Sequence, residues 1–218
     1  MAVIYNSSKI VTDGLVLCLD AANPRSYLGA GTEWTDIISG GNGTLTNGPT
    51  FNHENGGNIV FDGSDDYCDT EISPISLVPD GGDVTISVWV FPHVTSQGMI
   101  LGNGNSNRFY VETFSGKFHW GFGGSQNSAT SQALFSVNNW YNYVATYDGS
   151  NANGYLNGVL TEATSISTPT YGDSAIKLGT WQSNLYFNGN IANATIYNKA
   201  LTEQEIKQNY NATKGRFQ

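Results

Sequence analysis

Charge is scarce in this 218-residue chain: Asp, Glu, Lys and Arg make up only 12% of it, against the ~25% of an ordinary globular domain. Nine basic residues, scattered singly, face eighteen acidic ones, for a formal net charge of −9. Sequence-independent nucleic-acid binding needs a basic surface that displaces counterions, so no nucleic-acid partner is expected. An anionic membrane surface is disfavoured on the same ground. No apolar run nears the ~20 residues of a spanning helix, so membrane insertion is not expected either. Cysteine is limited to Cys18 and Cys68, too few for a disulfide framework. Both fall in apolar segments and read as reduced core thiols, with a Cys18–Cys68 bridge as the alternative. The opening Met1-Ala-Val-Ile-Tyr-Asn-Ser-Ser-Lys9 lacks a basic stretch leading into an apolar one. No signal peptide is read there, which fits a mature form or synthesis in the cytoplasm.

In place of charge stand 26 glycines, many Asn, Ser and Thr, and 12% aromatic residues. Short strands joined by many turns suit this composition; helical bundles and disorder do not. Strands are predicted at 14–20, 58–61, 67–70, 84–91, 99–101, 108–112, 117–122, 140–147, 154–156, 175–178 and 187–197. The run Val84-Thr-Ile-Ser-Val-Trp-Val-Phe91 is apolar on both faces, the mark of a central strand covered above and below. Tyr155-Leu-Asn-Gly-Val159 carries Asn-Gly between apolar residues, a hairpin signal because a type I′ turn needs positive φ twice. Such closely spaced strands without long helices between them predict an all-β, two-sheet antiparallel jelly-roll sandwich. One short C-terminal helix is predicted from Thr202-Glu-Gln-Glu205, a capping box, running to about residue 209 with Leu201 and Ile206 toward the body. Residues 1–13 read as an N-terminal arm and 14–218 as a single domain. The apolar triplet Val3-Ile4-Tyr5 is expected to pack on this domain or on a neighbour.

Six segments in register carry a family resemblance. They are Asp13-Gly-Leu-Val-Leu-Cys-Leu-Asp20, Phe61-Asp-Gly-Ser-Asp-Asp-Tyr67 and Thr85-Ile-Ser-Val-Trp-Val90 in the first half. Trp140-Tyr-Asn-Tyr-Val-Ala-Thr-Tyr-Asp-Gly149, Tyr155-Leu-Asn-Gly158 and the stretch from Gly189 to Ile206 follow. Together they resemble the laminin G-like branch of the concanavalin A-like lectin/glucanase superfamily, over residues 13 to 213. The resemblance implies a concanavalin A-like jelly roll with one concave face. The openings Ile10-Val-Thr-Asp-Gly-Leu15 and Asp20-Ala-Ala-Asn-Pro-Arg-Ser-Tyr27 are also similar to stand-alone structural proteins of tailed, especially marine, bacteriophages. This second resemblance implies a non-enzymatic virion surface protein, in capsid decoration or a head or tail fibre. Its partners would be other virion proteins, copies of itself, or host surface glycans. A bacterial carbohydrate-binding module or lectin is the alternative, and a polysaccharide hydrolase ranks third.

Hydrolysis needs two carboxylates flanking the scissile bond. The Glu-x-Asp-x-x-Glu strand of the superfamily's retaining enzymes is missing here; Glu112 has Phe114, not an acid, two residues on. No Gly-x-Ser-x-Gly elbow serves His53, His93 or His119, and neither cysteine has a partner at zinc-ligand spacing. No catalytic residue and no metal ligand is therefore assigned. Calcium is the cofactor left open: Asp62, Asp65 and Asp66 crowd one turn, and Asp20 or Asp148 could reach in from other loops. The competing reading is that these side chains only close turns. For glycan binding, strand alternation sets Tyr110 opposite Phe109 and Val111, and His119 opposite Phe118 and Trp120. Trp181 lies in the polar loop Gly179-Thr-Trp-Gln-Ser-Asn184. Tyr110, His119 and Trp181 are thus the candidate glycan-binding residues, while Trp89 and Trp140 are assigned to the core.

Overall fold

The computed structural model describes residues 9–104, 107–124, 127–182 and 184–218. The apolar triplet at residues 3–5 lies outside them. The first strands are β1 (Leu15–Asp20), β2 (Glu33–Thr35), β3 (Asn42–Thr46), β4 (Thr50–Asn52), β5 (Asn58–Asp62) and β6 (Tyr67–Asp69). A single helical turn, α1 (Pro74–Leu77), precedes β7 (Val84–Pro92), β8 (Gly98–Asn103), β9 (Phe109–Phe114), β10 (Lys117–Phe122) and β11 (Ser128–Leu134). Then come β12 (Tyr141–Tyr147), β13 (Asn151–Leu156), β14 (Val159–Ser165), β15 (Ile176–Leu178), β16 (Asn188–Tyr197) and α2 (Glu203–Thr213).

The strands form two antiparallel sheets stacked as a sandwich. The first has the order β14-β13-β12-β7-β16-β5-β4, with β1 added on β16; the second runs β11-β10-β9-β8-β15-β6-β3-β2. Alternation along β7 sends Val84, Ile86, Val88 and Val90 inward, where they meet Phe109, Val111, Phe118 and Trp120 of the second sheet. Each inward apolar side chain is worth roughly 1.5–3 kcal/mol in removed water contact, which drives the stacking. The hairpin between β13 and β14 turns at Asn157 (φ 52°) and Gly158 (φ 76°), both left-handed as a type I′ turn requires. The first strand pairs with the last, Leu19 opposite Ala194.

The second face of β7 is covered by the C-terminal segment, which buries Trp89 as assigned and corrects the assignment of Trp140. Trp89 is buried, but outside the inter-sheet core: its ring stacks between Tyr210 (5.7 Å) and Phe217 (4.1 Å). Its Nε1–H donates to Thr213 Oγ1 at 3.0 Å. Trp140 is half-buried on the same outer face, 5.3 Å from Phe91. Outward-facing aromatic residues on a sheet need such cover, which is why α2 runs past residue 209 to Thr213. The tryptophans between the sheets are Trp34 and Trp120.

Both cysteines are free and buried. Cys68 sits in the inter-sheet core, and Cys18 lines a small cavity beside Trp89, Asn142 and Asn193. Burial pushes the Cys18 thiol up to about 12 and raises Cys68 likewise, so neither forms a thiolate near neutral pH. Residues 9–13, the described part of the expected arm, lie against α2 and β16. The Val11 N–H donates to Asn209 Oδ1 (2.7 Å), and the Tyr197 hydroxyl donates to the Val11 carbonyl (3.0 Å).

The capping box of α2 forms as read, with Thr202 Oγ1 accepting from the Glu205 N–H and Glu205 returning to the Thr202 N–H. Thr202→Ala is expected to cost about 1 kcal/mol, measured as a shift in the urea midpoint. Lys199, then the Thr202 N–H, hold the Glu205 carboxyl below its ordinary value. Its contribution is therefore present above the unfolded pKa of about 4.3 and is lost as pH falls through the folded value. Glu205 and Asp13 raise Lys199; that contribution stands below an unfolded pKa of about 10.4 and is lost as pH rises through the folded one. The Thr202→Ala penalty should thus shrink in acid, and an equal penalty at all pH values would refute the linkage.

Candidate functional site

On the outer face of the second sheet, β9 and β10 present Tyr110, Glu112 and His119. Register sets His119 opposite Glu112 and Gly121 opposite Tyr110, while Gly102 of β8 lies opposite Tyr110 on the other side. A Cβ at Gly102 would stand 2.8 Å from the Tyr110 Cβ, and one at Gly121 would collide with its ring. The two glycines thus open a slot in which the tyrosine ring lies down across the sheet. Over it come Trp181, its ring centroid 6.1 Å away at 77°, and His119, 5.4 Å away at 74°.

The three residues singled out from sequence are therefore brought together. Trp181 and His119 are partly exposed, as a binding role demands. Tyr110 corrects the expectation of an exposed platform: it points outward as alternation predicts, yet is only 1% exposed. Burial, then the Glu112 charge, pushes its hydroxyl up to about 12. It forms the floor of the site.

Glu112 and Arg108 complete the cluster and were not named as binding residues, although both share Tyr110's face at spacings of two. Glu112 is buried, taking His119 Nδ1 at 2.7 Å and Gln97 Nε2 at 2.9 Å. That contact fixes Nδ1 of His119 as a donor, and the Tyr110 hydroxyl sits 3.4 Å from Nε2. The Arg108 guanidinium lies 5.8 Å over the Trp181 ring, a cation–π distance. Arg108, Tyr110, Glu112 and Trp181, with Gln97, Met99 and Leu185, line a cavity of about 100 Å³, and His119 stands beside it on Glu112. Trp181 is held by reciprocal backbone bonds with Asn184, at 2.8 and 2.7 Å. One apolar plate, one guanidinium and several hydrogen-bonding groups can meet a hydroxylated ring; a lone carboxylate cannot supply paired acid–base chemistry.

Carboxylate oxygens of Asp62, Asp65 and Asp66 lie within 4.8 Å of one another. Asp62 Oδ1 already accepts the Ser64 N–H at 2.7 Å, which with the Asp65 N–H holds its carboxyl below the ordinary range. Asp66, raised chiefly by burial, accepts the Asp62 N–H at 3.1 Å. Asp20 and Asp148 are engaged elsewhere, with Arg216 at 3.0 Å and with the Asn151 N–H at 2.7 Å. The carboxylates of Asp62 and Asp66 thus bond the backbone of their own turn.

Among solved structures, the chain is similar to the binding domain of Paraclostridial Mosquitocidal Protein 1. They share 16% identity at a TM-score of 0.73, over 91% of this chain and 52% of that one. It is similar to domain 4 of an extracellular GH43 arabinanase from Geobacillus stearothermophilus, a structure in complex with arabinotriose. Identity there is 17% and the TM-score 0.70, over 90% of this chain and 98% of that one. A Trypanosoma rangeli sialidase matches with 14% identity and a TM-score of 0.68, over 96% of this chain and 34% of the enzyme. The chain spans about half the mosquitocidal binding domain and a third of the sialidase, and at these identities the likeness is one of fold. No curated protein sequence matches it. Among the described residues no helix is long and apolar enough to cross a membrane. A family model matches residues 62–207, well over half of the chain, and with the two-sheet sandwich around it this chain belongs to the concanavalin A-like lectin/glucanases superfamily.

Proposed function

We propose that the chain is a non-enzymatic carbohydrate-binding domain whose ligand contacts are Trp181, His119 and Arg108 above the Tyr110 floor. The observation that carries this reading is the partly exposed Trp181, set on a buried aromatic ring and rimmed by Arg108, Gln97 and the His119–Glu112 pair. A sugar offers apolar C–H faces and a hydroxyl rim, and this arrangement complements both. The fold shared with an arabinanase domain in complex with arabinotriose supports it as analogy.

The same reading sets the domain, residues 14–218, on the surface of a bacteriophage virion, attaching to virion proteins, copies of itself or host glycans. Its support is the resemblance of the segments 10–15 and 20–27 to virion structural proteins. A free bacterial lectin would use the same contacts; mass spectrometry of purified virions separates the two.

Against hydrolysis stands the solitary Glu112 in this cluster, where two carboxylates are needed. Sialidases use a tyrosine nucleophile instead, but Tyr110 is buried and its hydroxyl is held up to about 12. Incubation with β-glucans, agars, carrageenans or sialosides is expected to release no reducing sugar, while a glycan array shows binding. Turnover that survives purification and vanishes in Glu112→Gln would overturn the non-enzymatic reading.

A further inference from the structure

We infer that the Trp181 site selects an acidic sugar, whose carboxylate or sulfate Arg108 takes while Trp181 packs on the ring beside it. This rests on the carbohydrate-binding reading of the site and adds the class of sugar and the residue that chooses it.

Arg108 is a half-buried cation at the cavity without a partner acid. Its guanidinium lies 5.8 Å over the Trp181 ring and donates to the Tyr110 hydroxyl. Among the described residues, which include all eighteen acidic ones, no carboxylate forms a salt bridge with it. Arg216, half-buried too, is met by Asp20 at 3.0 Å and by the carbonyls of Asn55 and Gly57. Lys177 and Lys199, equally half-buried, are paired with Asp69 at 3.0 Å and with Asp13 and Glu205 at 2.9 Å. A chain with twice as many acids as bases has carboxylates available for every arginine. At Arg108 none is used, which leaves the place open to a ligand's anion.

The rest of the cavity does not compete for that cation. Among the residues lining it, Arg108 is the one base and Glu112 the one acid. Glu112 is only 4% exposed, and each of its oxygens already has a donor, His119 Nδ1 on Oε1 and Gln97 Nε2 on Oε2. Its charge is thus engaged within the protein. A guanidinium carries five N–H donors in a planar fork, so a bond to Tyr110 uses only part of its capacity. That fork matches two oxygens of a carboxylate, or two of a sulfate by the same geometry, better than it matches a neutral hydroxyl rim. The partly exposed Trp181 ring is left to pack on the apolar face of a sugar.

The net charge narrows the kind of acidic glycan. At −9 the chain repels a polyanion, whereas charges beyond ~8 Å are largely screened from a single one at physiological salt. The charges that act on Tyr110, at the floor of the site, are those of Glu112 and Arg108. One acidic residue in an otherwise neutral glycan therefore gains the Arg108 contact without meeting the rest of the acidic surface.

The test is a calorimetric titration of the full chain with sugars matched except for one acidic group. Sialyllactose and sulfated lactose are each set against lactose, and aldotriouronic acid against xylotriose, at ~20 and ~200 mM salt. At least one acidic member should bind about tenfold tighter than its neutral match, the contribution of one charge-assisted pair. The gap should narrow at the higher salt, and the sialyl and uronate arms separate a carboxylate from the sulfate ester. Arg108→Gln should close the gap; Arg108→Lys, which keeps the charge without the fork, should retain only part of it. Should Arg108→Gln fold poorly, Arg108→Lys carries the test alone, and an undiminished gap in either variant would overturn the inference. Neutral sugars bound as tightly as acidic ones, with binding lost in Trp181→Ala, would overturn it and leave the carbohydrate reading standing. Binding of neither kind, or of free acetate or sulfate as tightly as the acidic sugars, would overturn both.

Discussion

Gly154→Ala is expected to lower the unfolding free energy by roughly 3 kcal/mol or more, from overpacking and stranded donors together. Gly154 on β13 pairs with Glu162 on β14, at the edge where the two sheets meet. The Glu162 carboxylate is buried, and it accepts from Trp120 Nε1 at 3.2 Å, from the Tyr143 hydroxyl and from Thr161 Oγ1. No cation pairs with it among the described residues. It fits only because Gly154 has no side chain: a Cβ there would fall on the carboxylate and stand 2.6 Å from the Tyr143 hydroxyl. Moving the carboxylate leaves Trp120 and Tyr143 as buried donors without an acceptor, each at about 1–3 kcal/mol. Burial, then the Glu162 charge, raises the Tyr143 hydroxyl well above its ordinary value, so it cannot escape by ionising. In a domain of this size the loss corresponds to a fall in Tm of about 6–12 °C, readable by calorimetry. An unchanged Tm would mean that Glu162 finds other partners and that the network contributes nothing.

Trp181→Ala should cut glycan affinity about 30-fold, the loss of an aromatic hot spot near 2 kcal/mol, with little effect on stability because the ring sits on a loop. Tyr110→Phe separates the roles of the two rings. Its hydroxyl makes long contacts, 3.4 and 3.5 Å, with His119, which are weak at that length. It is also hydrogen-bonded by Arg108 and Ser128, which keep their places when it is lost. Affinity in that variant should stay within about threefold of the parent. If Trp181→Ala binds as tightly as the parent, the site lies elsewhere.

What could be read in advance follows from the strength of each local signal. β7, β12 and β16 are apolar enough to declare themselves, and the capping box and Asn-Gly turn are specified by chemistry within a few residues. β2, β3, β4 and β11 were not anticipated, because stretches such as Asn-Gly-Thr-Leu-Thr and Ser-Ala-Thr-Ser-Gln-Ala-Leu carry too few apolar residues to alternate visibly. Those strands sit near sheet ends, where pairing with a neighbour fixes them more than their own sequence does. At the site, alternation correctly put Tyr110, His119 and Glu112 on one face. It could not show that Gly102 and Gly121 would let the Tyr110 ring lie flat, since that depends on cross-strand register. Trp140 misled for a related reason: a tryptophan at a strand entrance packs on whichever face the C-terminal residues cover, and Phe217 is 77 positions away in sequence.

Under tension, the pairing of β1 with β16 decides how this domain yields. Leu15 lies beside Tyr197, and Asp20 beside Asn193, so the chain enters the first strand and leaves the last at the same end of the ladder. Tension applied through these two flanks loads the hydrogen bonds one after another, in a peeling mode, instead of shearing them together. The ties of residues 9–13, Val11 to Asn209 and Asp13 to Lys199, would part first. Rupture under load is governed by the unfolding rate and not by equilibrium stability. A tether at these flanks therefore makes a release catch, whereas anchorage through a sheet face would let the whole sandwich bear the strain.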